Sequence, residues 1–185
     1  MPDLNQYNFQ RILIVKPSSL GDIVRALPVL HGLRGRFPNA VIDWLVRPEF
    51  ADILPGKPAL EEKILFDRKK FARMGKSYGA MRDFINLLRR LRQQQYDLVV
   101  DLQGLFRSGF ITRATGAPVR VGFAHAREGG AWFYTHPIKM NPGLHHVEEC
   151  REVARALGAD NDSQCFDMNH DADAAIHARK LLVQS

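Results

Sequence analysis

A short apolar segment at residues 11–16 (RILIVK) is the feature that most restricts the fold of this chain. Its length and its β-branched residues are typical of a buried strand. A small polar turn at 18–22 follows it directly. Apolar residues then recur at helical spacing over 23–33 and predict a helix that ends near Phe37. The chain therefore opens with a strand, a tight turn and a helix.

The same unit recurs along the chain. Strands that alternate with helices predict an α/β fold with an open, mainly parallel sheet and helices on both faces. Pro28 lacks a backbone donor, so we expect the first helix to kink or restart there. Further strands are predicted at 40–46, 63–67, 96–102 and 119–123, and further helices at 79–94, 106–115 and 146–157, the last closed by Gly158.

The expected ligand site lies at one edge of this sheet. In open α/β sheets, ligands bind outside the carboxyl ends of the strands. Three predicted loops reach that edge, after Lys16, after Asp67 and after Leu102. We expect the functional side chains on these loops.

Composition narrows the setting. The chain has 185 residues, with 26 basic and 20 acidic side chains, and a formal charge of +6. This excess favours an anionic partner, which could be nucleic acid, a membrane surface or a phosphorylated substrate. The chain has no apolar stretch long enough to span a membrane, and its first apolar run is too short for a secretory signal. We therefore expect a cytoplasmic protein whose two cysteines stay reduced.

A change of composition near residue 159 divides the chain. Residues 1–158 form the predicted α/β domain. Residues 159–173 are polar and acidic and resemble a linker. The helical segment at 174–183 has few partners left to pack against. We expect 159–185 to be a linker and the start of a further domain.

The segment at 16–22 (KPSSLGD), in which the first strand opens into the polar turn, is the first candidate site. Asp22 lies at the start of a helix, where the helix dipole keeps a carboxylate ionised. Such a carboxylate at a cleft can take a proton from a hydroxyl, and Gly21 lets a ligand approach the backbone. Asp22 could equally do no more than satisfy the helix N-terminus. Neither the phosphate-binding loop nor the dinucleotide-binding glycine pattern is present.

Two further segments carry candidate side chains. Residues 63–92 hold ten basic and two acidic side chains between Lys63 and Arg92. Those after the third strand suit an anionic ligand, whereas those on the long helix (Arg82, Arg89, Arg90 and Arg92) are expected to form a solvated face.

The second segment, 101–108 (DLQGLFRS), joins a strand to a helix. Gln103 can bind a sugar, Gly104 allows close approach, Arg107 can pair with a carboxylate, and Asp101 is expected to anchor neighbouring loops.

Four segments together resemble the ADP-heptose:lipopolysaccharide heptosyltransferases, glycosyltransferase family 9, and most closely their type I branch. They are RILIVKPSSLGDIVRALPVLHGLRGRFPNAVIDWLV, YDLVVDLQGLFRSGFITRATGA, VGFAHAREGGAWFYTHPI and HHVEECREVARALGA. They cover roughly residues 11–159 in the expected order. The resemblance implies a Rossmann-like, acceptor-binding domain, the N-terminal half of a two-domain, B-type glycosyltransferase.

The family resemblance also implies residue roles. Its members invert the anomeric carbon by direct displacement without a metal, and Asp22 matches their proposed general base. Arg25 stands where many relatives are expected to have histidine, and it could tune Asp22 or contact a phosphate. The positions implied for acceptor binding are Ser18, Ser19, Gly21, Arg68, Lys69, Lys70, Arg73, Gln103, Gly104, Arg107 and Arg127.

The resemblance implies no cofactor and no metal, and it places the donor ADP-heptose mainly on a second domain. A metal site could be drawn through His145, His146, Glu148 and Glu149. A pair of histidines at a helix start is, however, expected to be plain surface. The implied partners are an anionic glycolipid acceptor, the lipopolysaccharide inner core, and by peripheral contact the cytoplasmic leaflet. Two alternatives are a non-catalytic acceptor-binding module and, with no recognised motif to support it, a nucleic-acid-binding domain. By itself the chain is expected to transfer little.

Overall fold

A computed structural model of the chain describes residues 4–67, 77–141, 143–159 and 168. Its centre is one six-stranded sheet in which all neighbouring strands are parallel. The strands are β1 (Arg11–Val15), β2 (Val41–Val46), β3 (Glu62–Leu65), β4 (Leu98–Asp101), β5 (Val119–Phe123) and β6 (His136–Ile138). Their order across the sheet is β3-β2-β1-β4-β5-β6. This is the Rossmann order, and it confirms the predicted fold class.

Four α-helices in the described residues cover the two faces of the sheet. They are α1 (Leu20–Arg36), α2 (Tyr78–Gln93), α3 (Phe106–Ala114) and α4 (His146–Ala156). Helices α1 and α4 contribute to one hydrophobic core, and α2 and α3 contribute to the other. The sheet is therefore enclosed on both sides, as the near-continuous apolar strands predict.

Strand β1 shows how the sequence feeds both cores. Successive side chains of a strand point to opposite faces. Ile12 and Ile14 accordingly pack with α1 and α4, while Leu13 and Val15 pack with α2 and α3. All four are fully buried. No residue of this strand from Ile12 to Val15 is left to face water, which is why the segment reads as a continuous apolar run.

The first helix differs from expectation. Helix α1 continues through Pro28 and does not restart there, so that alternative was wrong. Pro28 is buried, and its neighbours Leu27, Val29 and Leu30 are fully buried in the α1–α4 core. Tertiary packing of this face therefore offsets the lost backbone hydrogen bond.

The other predicted elements are confirmed within a few residues. Strand β6 was missed, because it has three residues, one of them Pro137, and lies at the edge of the sheet. Proline is tolerated at an edge but obscures a strand pattern. Gly158 adopts a positive φ of 64° after α4, as its predicted capping role requires. The predicted linker and terminal helix at 159–185 lie outside the described residues, except for Ala159 and Met168.

Among the described residues, no helix is both long and apolar enough to cross a membrane.

Candidate active site

The loops that follow β1 and β4 meet at the carboxyl edge of the sheet, because these two strands are neighbours in the centre of the sheet. The side-chain oxygen of Gln103 accepts the backbone N–H of Ser18 at 3.3 Å. The Lys16 Nζ donates to the carbonyl of Leu102 at 2.9 Å. Two of the three predicted loops are thus tied together. The strand order reverses at this point, which is where ligands bind in such sheets.

Asp22 lies in the first turn of α1 and is held by its own loop. Its Oδ2 accepts from the Ser19 backbone N–H at 3.3 Å and from the Ser19 hydroxyl at 3.1 Å. Its Oδ1 accepts from Arg25 at 3.3 Å. The side chain remains 31% exposed. The carboxylate is therefore fixed in orientation but still within reach of a ligand.

Charge decides the protonation state of Asp22. Burial acts to raise the pKa of Asp22, but the positive charge of Lys16 and the two hydrogen bonds from Ser19 outweigh it. The pKa of Asp22 therefore lies below its usual value, and the side chain is ionised at neutral pH. Asp22 accepts hydrogen bonds at the start of α1 and also remains charged. The capping role and the role of proton acceptor are therefore compatible.

Lys16 opens the first candidate segment, but the sequence analysis gave it no role of its own. Its ammonium lies 3.9 Å from the Asp22 carboxylate, and the side chain is only 3% exposed. Burial lowers the pKa of Lys16, against the attraction of Asp22 and other acidic groups. Burial is the largest single influence on the pKa of both partners. It prevails for Lys16, whereas for Asp22 the charge of Lys16 and the hydrogen bonds from Ser19 together outweigh it. The sequence did hold a sign of this role, because Lys16 is a charged residue directly after a buried strand.

His146 completes the contacts of Lys16. Its Nε2 lies 3.3 Å from the Lys16 Nζ, and its Nδ1 lies 3.0 Å from Glu149. The other oxygen of Glu149 lies 3.1 Å from His125. The interpretation of the histidine pair as plain surface is therefore right for the exposed His145, which caps α4, and wrong for His146, whose side chain is 24% exposed.

No group of His, Cys, Asp or Glu side chains among the described residues is arranged to hold a metal ion.

Asp101 is the structural carboxylate that the sequence predicts. Its Oδ1 accepts the backbone N–H groups of Gln103 and Gly104 at 2.9 and 3.2 Å, and its Oδ2 accepts the Tyr134 hydroxyl at 2.8 Å. Burial raises the pKa of this fully buried side chain, and its hydrogen bonds oppose the rise. Asp101 therefore anchors the loop after β4 to the segment before β6.

Gly104, in the loop after β4, is buried, whereas the side chain of its partner Arg127 is exposed. Gly104 is buried with a positive φ of 66°, and a Cβ there would lie 3.2 Å from the Phe123 ring. Its carbonyl accepts the backbone N–H of Arg127 at 2.9 Å. The Arg127 side chain is exposed. Gly104 thus serves the packing of this loop, and its contact with an acceptor stays a prediction.

A cavity of about 140 Å³ opens beside these loops on the α2–α3 side of the sheet. Its floor is apolar and includes Val15 and Leu45. Its rim carries Ser18, Gln103, Arg47, Arg107 and Glu128. Asp22 does not line this cavity, but Ser18 does, and the adjacent Ser19 holds Asp22. The turn at 18–22 therefore joins the cavity to the carboxylate.

Arg47 is the second residue that the sequence analysis missed. It follows β2 at the same edge, pairs with Glu49 at 2.6 Å, and its backbone N–H donates to Pro17 at 3.1 Å. The rule that selected the loops after β1 and β4 applies to β2 as well. Its position directly after a strand was the signal.

Two other predicted positions are open to solvent. Ser19 and Gly21 are exposed on the turn, and a Cβ added at Gly21 would meet open space. The arginines of α2 are exposed too, as expected for a solvated face. The predicted acceptor cations after β3 lie outside the described residues: Arg68, Lys69, Lys70 and Arg73.

Comparison with known proteins places this site in a family. The profile described as glycosyltransferase family 9 (heptosyltransferase) matches residues 84–180, just over half of the chain. Lipopolysaccharide heptosyltransferase 1 of Pseudomonas aeruginosa is 33% identical over 151 residues, which are 80% of this chain and 42% of that protein. The Escherichia coli K12 protein of the same name is 32% identical over 152 residues, 80% of this chain and 48% of that protein.

A solved structure agrees with these matches. The Escherichia coli heptosyltransferase WaaC with ADP-2-deoxy-2-fluoro heptose superposes with a TM-score of 0.74 at 30% identity, over 84% of this chain and 51% of that chain. The predicted likeness to type I members is confirmed. The chain spans about half the length of the relatives it matches. The chain belongs to glycosyltransferase family 9, the heptosyltransferase family.

Proposed function

We propose that this chain supplies the acceptor side and the general base for transfer of heptose from ADP-heptose to the inner core of lipopolysaccharide. The observation that carries the proposal is Asp22, a carboxylate kept ionised by Lys16 and oriented by Ser19 on a turn that also borders a cavity. A general base needs the right protonation state and access to the proton it removes. The partial exposure of Asp22 leaves it that access.

The proposed reaction is a direct displacement with inversion. A hydroxyl of the acceptor sugar attacks the anomeric carbon of the heptose, a new C–O bond forms, and the bond to ADP breaks. The hydroxyl proton passes to the Asp22 carboxylate, and ADP leaves with the bonding electron pair. Because the pKa of Asp22 is low, the carboxylate is a weak base. Proton transfer is therefore expected late, once bond formation has made the hydroxyl acidic.

The cationic rim suits the proposed acceptor. Arg47 and Arg107 line the cavity with the amide of Gln103 and with Ser18. Guanidinium groups bind phosphates and carboxylates through paired, charge-assisted hydrogen bonds. An anionic glycolipid would place its charged groups here and its reactive hydroxyl toward Asp22. The contacts predicted for Arg68, Lys69, Lys70, Arg73 and Arg127 belong to the same proposal.

The proposals for the donor site and for metal independence follow what the family resemblance implies. ADP-heptose would be held mainly by a second domain, and the transfer would need neither cofactor nor metal. A chelator should then leave the transfer rate unchanged, whereas a loss that added Mg²⁺ restores would contradict this part of the proposal. The second candidate function is acceptor binding without transfer, which the cationic rim of the cavity would support equally well.

We also infer peripheral contact with an anionic membrane surface. Trp132 is 85% exposed, and Phe106 and Phe110 are 44% and 41% exposed. Phe133 packs edge-on against both phenylalanines, and the exposed Arg107 lies beside Phe106. Aromatic rings with adjacent cations suit the headgroup region of a bilayer.

Flotation with phosphatidylglycerol vesicles tests this contact. The chain should float with them, should float less with pure phosphatidylcholine, and should lose most of its binding in Trp132→Ala. Equal flotation of the variant and the original chain would contradict the assignment of this surface.

The test of the function is transfer from ADP-heptose to a heptose-free inner-core acceptor. It compares the chain alone, the chain with any further domain that its gene encodes, and the latter carrying Asp22→Asn. Transfer that is lost in Asp22→Asn supports the proposal and the base together. Acceptor binding without transfer in every form would favour the binding module instead.

A further inference from the structure

We propose, on the basis of the function above, that His146 is a positioning residue that holds the Lys16 ammonium against Asp22, and that Glu149 sets the orientation of His146. The family resemblance implied a role for Asp22 but none for Lys16, His146 or Glu149. The inference rests on a continuous line of contacts that runs from the proposed base into α4. It adds to the proposed reaction a device that controls the charge beside the base.

The contacts form an unbroken line. From Asp22 the distance to the Lys16 ammonium is 3.9 Å. From there to the Nε2 of His146 it is 3.3 Å, and from the Nδ1 of His146 to Glu149 it is 3.0 Å. Lys16 has one further bond, to the Leu102 carbonyl at 2.9 Å. Two groups on different elements therefore hold the ammonium in place.

Glu149 determines what His146 can offer to Lys16. A carboxylate accepts hydrogen bonds, so the proton of the neutral imidazole is placed on Nδ1, facing Glu149. The Nε2 lone pair is then left to accept a hydrogen bond from the Lys16 ammonium. This is the arrangement by which carboxylates orient histidines that serve a second group.

A second proton on His146 would reverse this contact. Both ring nitrogens of an imidazolium are donors, so Nε2–H would face the Lys16 ammonium and repel it. The groups around His146 are Lys16 directly after β1, Asp22 from α1, Glu149 and Cys150 from α4, and His125 after β5. Acid is therefore expected to weaken the Lys16–His146 contact.

Burial makes the position of the ammonium matter. Lys16 is almost completely enclosed, so its charge is poorly screened and acts strongly on Asp22. An ammonium that loses one anchor can turn toward solvent and leave Asp22 less stabilised as an anion. His146 therefore acts on the reaction through Lys16 and not by touching the substrate.

Carbon-13 NMR of the 185-residue chain tests the inference without any need for transfer activity. The first readout is the pKa of the Asp22 carboxyl carbon. We expect His146→Ala to raise it by about one unit, the lower end of the effect of a nearby opposite charge. His146→Gln, whose side-chain oxygen can accept from Lys16 near the position of Nε2, should keep it close to the original value. His145→Ala is the matched control and should leave the Asp22 pKa unchanged.

The second readout uses His146→Gln alone, in case His146→Ala does not fold. In the original chain, acid that adds a proton to His146 should shift the Lys16 Cε signal. This acid-induced shift should be absent in His146→Gln and present in His125→Gln. An unchanged Asp22 pKa in His146→Ala, an equal rise in both His146 variants, or an acid-induced shift that survives in His146→Gln would each overturn the inference. A chain with the expected titrations that supports no transfer would contradict the proposed function alone.

Discussion

Asp22 and Asp101 are two aspartates at the carboxyl ends of neighbouring strands, and they have opposite electrostatics. Asp101 is fully buried with its oxygens bound by backbone N–H groups and a tyrosine. Asp22 is 31% exposed with cations on two sides. Burial raises the pKa of the first. Burial also acts to raise the pKa of the second, but Lys16 and the hydrogen bonds from Ser19 together lower it. Burial with fixed donors therefore makes an anchor, whereas partial exposure with nearby cations makes a carboxylate available for chemistry.

The sharpest test of this contrast is activity. Asp22→Asn in the assembled transferase should lower kcat at least about 100-fold, because general bases contribute 10²- to 10⁴-fold, while the free energy of unfolding should change by less than about 1 kcal/mol. Initial rates and urea unfolding measure the two. A variant that keeps its rate would remove the base assignment.

Asp101 should respond in the opposite way. Asp101→Ala leaves two buried backbone N–H groups and the Tyr134 hydroxyl without their acceptor, and we expect a loss of about 3 kcal/mol in unfolding free energy. Chemical denaturation of the chain measures it. Ser19→Ala, which removes one exposed hydrogen bond to Asp22, is the comparison and should cost less than about 1 kcal/mol.

Lys16→Met should make Asp22 resemble an ordinary aspartate. Its carboxyl pKa should rise by about one unit, measured by carbon-13 NMR. The sign for stability follows from linkage: the ionised, low-pKa Asp22 stabilises the fold above the pKa of an unfolded aspartate, and this contribution is lost as the pH falls through the folded pKa. The variant should lack that part of the acid-induced loss. An Asp22 pKa unmoved by the substitution would show that Lys16 does not lower it.

The smallest expected effects come from two glycines, one in each loop, and they are differences in stability. Gly104→Ala forces a side chain into a positive φ and toward the Phe123 ring, and we expect a loss of about 1–2 kcal/mol. Gly21→Ala adds a methyl group in open space within a helix, so stability should stay the same or rise by up to about 1 kcal/mol. Thermal unfolding of both variants compares them. Equal losses would mean that the two loops are equally packed.

The layered fold could be predicted from local sequence, because buried parallel strands and amphipathic helices leave periodic signals. Asp22 and Asp101 could be placed because Asp101 ends such a strand and Asp22 lies in the turn after another. Lys16 and His146 could not be paired, because 130 positions separate them in the chain and only the tertiary fold brings α4 beside β1. Strand β6 was too short to leave a pattern, and Arg47 was passed over at an edge where the same rule applied.

The long separation between Lys16 and His146 has a consequence for biosynthesis. On a ribosome the chain emerges from its N-terminus at about 5–20 residues per second. The lysine is therefore released many seconds before the helix that carries its histidine. Until then, the Lys16 ammonium lacks one of its two hydrogen-bond acceptors, and enclosing it would leave a buried donor unsatisfied. Contacts this distant are slow to form, so we expect this end of the sheet to be among the last parts of the nascent chain to become native.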